Sequence, residues 1–110
     1  MTDWIISQFT GWYEAPYIGK TDFSLVIETS GPDGEFTGSG QDKQGDFTLK
    51  GRVEGAKVMF VKDYKDGKIT NIKYDGLVEG DHIEGKYFFI YKTFLINMNV
   101  NEKFYMKLSN

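Results

Sequence analysis

Apolar and polar residues alternate with a period of two along almost the whole chain, and six glycines fall on the apolar beat instead of between the runs. The units Phe36-x-Gly38-x-Gly40-x-Asp42, Phe47-x-Leu49-x-Gly51-x-Val53, Tyr74-x-Gly76-x-Val78 and Ile83-x-Gly85-x-Tyr87-x-Phe89 carry rings and bare backbone on one face. This is the period of a half-buried strand, and glycine on the inner face lets a sheet curl and lets a ring lie over the backbone of its neighbour. The alternation predicts strands over 9–17, 21–29, 35–42, 46–54, 57–64, 70–78 and 82–91. On the first of them Phe9, Gly11, Tyr13, Ala15 and Tyr17 face in and Trp12 faces out.

Turn residues separate the strands: Ser30-Gly31-Pro32-Asp33-Gly34, Lys43-Gln44-Gly45, Glu54-Gly55, Lys65-Asp66-Gly67 and Glu79-Gly80-Asp81. Connections this short make each strand antiparallel to the last and leave no room for a crossover helix. Before the first strand, Thr2 and Asp3 can cap a short helical plug of Trp4, Ile5 and Ile6. In the tail, Phe94, Ile96, Met98 and Val100 keep the alternation, as do Phe104, Met106 and Leu108. The tail reads either as one bulged strand or as a short hairpin. A meander of about eight strands has two open hydrogen-bonding edges, and rolling it shut removes both. The expected fold is therefore all-β, one antiparallel up-and-down barrel occupying 1–110 as a single domain.

Phe9-x-Gly11-x-Tyr13, preceded by the helical plug, is similar to the Gly-x-Trp that opens the first strand of a lipocalin, and the strand plan resembles the calycin group of lipocalins, fatty-acid-binding proteins and avidins. That resemblance implies a non-enzymatic ligand binder. The chain departs from it in placing its tryptophan at position 12 and in having no arginine near its C-terminus. Tyr74-x-Gly76 followed by Gly80 and Gly85 is also similar to one unit of a membrane-occupation-and-recognition repeat, which would imply an open sheet.

Composition narrows the function classes. The net charge is −3 and one of the thirteen basic residues is an arginine, which speaks against a nucleic-acid surface. With no cysteine there are no disulfides, thiolate metal sites or cysteine nucleophiles. Residues 1–9 lack the pattern of a signal peptide, and the apolar stretch 87–100 is interrupted by Lys92 and Asn97, so a cytoplasmic protein without membrane insertion is expected. No cofactor is expected, because His82 is the lone histidine and sits beside a turn, and the acids do not follow a calcium-loop spacing.

Candidate chemistry gathers at one end of the barrel. Strand direction brings Tyr17, Phe23, Asp42, Phe47, Lys62, Tyr64, Ile72 and Tyr91 to one rim, while Phe9, Ile27, Phe36, Val53, Val58, Val78 and Ile83 close the other. Asp42 and Lys62 are inward-facing charges at the same rim, and burying an unpaired charge is costly. They fit two arrangements: both reach water at the mouth with the lysine stem covering apolar wall, or they pair and form a polar pocket. In the second, Asp42, Lys62 and the hydroxyls of Tyr17, Tyr64, Tyr74 and Tyr91 orient a small apolar or amphipathic ligand over aromatic walls. A protein-interaction module with a filled barrel is the other class, with Trp12, Phe94, Ile96 and Met98 forming a partner or homodimer surface. Chemistry through a desolvated Lys62 with tyrosine acids is a third.

Overall fold

The structure is a computed structural model that describes residues 7–92 and 97–109, with the side chains of 91 and 92 outside that description. Eight strands follow in chain order: β1 (Gln8–Ala15), β2 (Gly19–Ser30), β3 (Glu35–Asp42), β4 (Gly45–Glu54), β5 (Lys57–Tyr64), β6 (Ile72–Glu79), β7 (His82–Lys92) and β8 (Asn97–Leu108). Each pairs antiparallel with its neighbours, and β1 pairs with β8, so the sheet closes on itself. The closure excludes the open sheet that the repeat-like unit around Tyr74 implied. The helical plug at Trp4 to Ile6 lies outside the described residues.

The tail resolves into one strand. Val100, Phe104 and Met106 are buried on the same alternation, and β8 pairs without a break with β7 from Asn97 to Lys107. Two strand ends fall two residues short of the sequence expectation, while β2 begins two residues early at Gly19. Asn71 takes a left-handed backbone (φ 60°) with its N–H donated to Asp63 Oδ1 at 2.6 Å, so β6 starts at Ile72. Tyr17, expected on the inner face of the first strand, instead sits in the β1–β2 turn with φ 67°. The residue is 98% exposed, because the chain has already reversed there.

Inside, rings and glycines interlock across the ladder. Gly40 lies opposite Leu25 and Phe47, and a Cβ added there would stand 2.6 Å from the Phe47 ring and 2.8 Å from Leu25 Cβ. Gly76 does the same for Phe104, whose ring tip would be 2.9 Å from such a Cβ. The lower half of the barrel is filled in this way by Phe9, Leu25, Ile27, Phe36, Phe47, Leu49, Val58, Phe60, Ile83, Phe104 and Met106. A residual void of about 10 Å³ among Phe23, Phe47, Phe60 and Tyr74 is at most one water's worth of space. No helix among the described residues is long and apolar enough to cross a membrane.

Candidate functional site

Alternation on β3 and β5 turns Asp42 and Lys62 inward, and the register sets how deep they lie. Lys62 stands opposite Leu49 and Ile72, one step below the Phe47–Tyr64 pair, while Asp42 ends β3 opposite Phe23. The two meet: Lys62 Nζ is 2.9 Å from Asp42 Oδ2, and the side chains are 3% and 0% exposed. Neither reaches water, which overturns the arrangement in which both sit solvated at the mouth. The physical reason is cover: the rings of Tyr13, Phe47, Tyr64 and Tyr74, from four strands, surround the ammonium, and Asp42 turns in against it from the end of β3.

Asp42 is held from three sides. Its Oδ2 accepts from the Lys62 ammonium and from the Tyr64 hydroxyl at 2.6 Å, and its Oδ1 accepts from the Gln44 backbone N–H at 2.7 Å in the tight β3–β4 turn. Lys62 donates a second bond, at 3.3 Å, to the Tyr74 hydroxyl. Its ammonium also lies 4.3 Å from the Phe47 ring centre, 4.7 Å from Tyr64 and 4.8 Å from Tyr13. Such ring faces attract a cation electrostatically, more strongly where water is excluded. Every fully buried polar side-chain atom among the described residues has a partner, as a low-dielectric interior demands.

Burial holds the Lys62 ammonium below its usual pKa, and the Asp42 carboxylate works against that shift. The tyrosines move the other way. Tyr13 is pushed up to about 12, chiefly by burial, with the nearby Asp42 charge adding to it. Tyr64 rises through burial and then its bond to Asp42, and Tyr74 rises through burial. Tyr87 rises through burial, then through Tyr13, Glu102 and Glu14. All four phenols are therefore neutral hydrogen-bonding groups at neutral pH.

Above this polar floor the barrel opens into a cup of about 430 Å³. Tyr13, Lys62, Tyr64, Tyr74 and Tyr87 line its base, and Ala15, Ile69, Ile72, Phe89, Met98 and Val100 line its wall. The β5–β6 loop supplies Ile69, whose carbonyl accepts the Tyr64 N–H at 3.0 Å. Four rings stack up one side: Phe60 on Tyr74 (4.6 Å, 9°), Tyr74 on Tyr87 (5.3 Å, 23°) and Tyr87 on Phe89 (6.4 Å, 16°).

Of the residues singled out in the sequence, Asp42, Lys62, Tyr64 and Tyr74 come together at this floor. Tyr17 borders the cup from the turn but points its ring into solvent. Tyr91, Phe94 and Ile96 lie outside the described side chains. Met98 lies at the rim of the cup, 36% exposed. Trp12 faces out as expected, yet it is half-buried on the barrel's own wall, stacked on Tyr105 at 6.0 Å with the Lys20 ammonium 4.2 Å from its ring. Of the residues around the ammonium and the cup floor, the sequence pattern places Phe47 at this rim without a role and omits Tyr13 and Tyr87, although all three lie on the inward alternation of their strands. Tyr87 closes the seam, its hydroxyl donating to the Glu14 carbonyl at 2.6 Å. Comparison of the chain with protein-family models, with curated proteins and with solved structures found no match in any of the three.

Proposed function

We propose that this protein is a non-enzymatic binder that holds a small, partly apolar molecule in the cup at the open end of the barrel. One observation carries the reading: a barrel whose lower half is packed solid keeps about 430 Å³ open at the other end, walled by apolar side chains and floored by a few fixed polar groups. Small-molecule sites have this make-up, and closed sheets of eight strands have room for one small ligand. The barrel is read as calycin-like on its strand order and on the Phe9-x-Gly11-x-Tyr13 opening, and a binding role agrees with that. No covalent step is part of the reading, since the Lys62 ammonium is already engaged by Asp42, Tyr74 and three ring faces.

The test is a titration with Nile red, an uncharged dye whose emission rises in apolar surroundings. The wild-type protein should enhance its emission saturably, and Ala15→Trp, which adds a ring at the cup wall without removing any core side chain, should abolish the enhancement while the unfolding midpoint stays put. A wild type that leaves the dye dark, or a variant that binds it equally well, overturns the proposal.

A further inference from the structure

We propose that the cup selects an uncharged, flat aromatic molecule and rejects carboxylates. This rests on the binding role above and adds the ligand's chemistry. The first argument is charge balance. Lys62 is the one charged residue among the described residues lining the cup, and Asp42 already neutralises it at 2.9 Å. Two of the ammonium's bonds go to Asp42 and the Tyr74 hydroxyl, and the remaining surface of the group faces ring planes. An incoming carboxylate would find no free cation. It would meet instead the negative faces of tyrosine rings and the Asp42 charge, with Glu102 and Glu14 near enough to Tyr87 to act on its hydroxyl. Burying an uncompensated charge is costly, whereas a neutral molecule incurs no such cost. A cation would have to approach the Lys62 charge, with the Asp42 carboxylate already engaged.

The second argument is shape. Tyr74, Tyr87 and Phe89 present nearly parallel rings along one wall of the cup. Aromatic pairs favour offset stacking, so a flat ring system extends this column, while a flexible chain loses conformational freedom to do so. A volume of about 430 Å³ lies toward the small end of ligand pockets, which suits a few fused rings better than a long acyl chain.

Four probes separate charge from shape: β-naphthol, β-naphthoate, n-octanol and octanoate, each titrated into the full chain near neutral pH by calorimetry or NMR. Naphthol should bind tightest, with naphthoate at least about tenfold weaker and octanol weaker than naphthol. Asp42→Asn removes the internal neutralisation and keeps the side chain's shape, so in the folded variant naphthoate should gain at least about tenfold on naphthol by meeting the now uncompensated Lys62 charge at the floor of the cup. Carboxylates that bind as well as their neutral counterparts, octanol equal to naphthol, or an unchanged naphthol-to-naphthoate ratio in folded Asp42→Asn each overturn the selectivity. The wild-type series stands alone if the variant does not fold. Nile red binding with none of the four probes binding overturns the selectivity and leaves the cup; failure of all five overturns the binding role itself.

Discussion

Replacing Asp42 by Asn keeps the shape of the side chain and removes its charge, leaving the Lys62 ammonium to the Tyr74 hydroxyl and the surrounding ring faces. At a separation of 2.9 Å and an effective dielectric of about 20, the lost attraction is roughly 6 kcal/mol. The lysine can escape part of that by shedding its proton. Measured from an ordinary lysine pKa near 10.4, neutralising it costs about 5 kcal/mol at pH 7 and about 2 kcal/mol at pH 9. The deficit of the variant is therefore capped near 5 kcal/mol at neutrality, within the range of about 3–5 kcal/mol expected for breaking a buried ion pair. It should shrink as pH rises. The sign follows from linkage: a lysine whose folded pKa lies below its unfolded value leaves the unfolded chain holding more protons in the interval between the two, so stability climbs with pH there. Removing the carboxylate that opposes the shift widens that interval downward. Denaturant unfolding of wild type and variant from about pH 6 to about pH 9.5 measures both curves, and the double variant Lys62→Met with Asp42→Asn should recover most of the loss at every pH. A deficit under about 1 kcal/mol at neutrality, or one that stays constant with pH, would refute a charged lysine sealed in the barrel.

Gly40→Ala should cost about 1–3 kcal/mol, because its Cβ must displace Phe47, Leu25 and the Ser24 carbonyl, whereas Gly31→Ala, whose nearest neighbour would be 3.8 Å away, should stay within about 0.5 kcal/mol. Equal effects in a thermal or denaturant melt would mean that the inner glycines are not there for close packing. The phenols of Tyr13, Tyr64, Tyr74 and Tyr87 should stay protonated while the barrel is intact: the stability they contribute is fully present below about pH 10 and falls away as pH passes toward 12. Phenolate absorbance followed beside circular dichroism checks this, and four extra phenolates appearing near pH 10 in a folded barrel would contradict it.

The fold was legible because a strand's period of two fixes which face each residue takes, and because tight turns leave a meander little choice of partners. Gly38, Gly40, Gly51 and Gly76 reinforced the signal, since each marks a place where a neighbouring strand or ring comes close. Failures came where the backbone leaves the strand. Nothing in the alternation of Tyr13, Ala15 and Tyr17 announces that the chain turns after Ala15, and the left-handed Asn71 that delays β6 is an isolated residue inside an apparently regular run. Tail residues 97–108 kept one alternation throughout, yet sequence could not separate a strand from a hairpin there, because that depends on pairing with both β7 and β1.

For the site, alternation identified Asp42 and Lys62 as inward but said nothing of depth. Depth comes from the stagger of strands around a closed sheet, which places Lys62 opposite Leu49, one step below the Phe47–Tyr64 pair. That one step has a chemical consequence. A charged pair at the rim would be solvated and could offer its ammonium to an anion; the same pair one level down must satisfy itself, and it does so with Tyr64, Tyr74 and the Gln44 backbone N–H. Those partners form a neutral, rigid floor that divides the barrel into a packed half and an open half. The residues above the floor are then free of any duty to the charges, and Ala15, Ile69, Phe89 and Val100 can line an apolar cup. Lysine in an apolar alternation thus marks where the solid core stops, and under the proposed binding role the completeness with which Asp42 neutralises it would set which ligands the cup accepts.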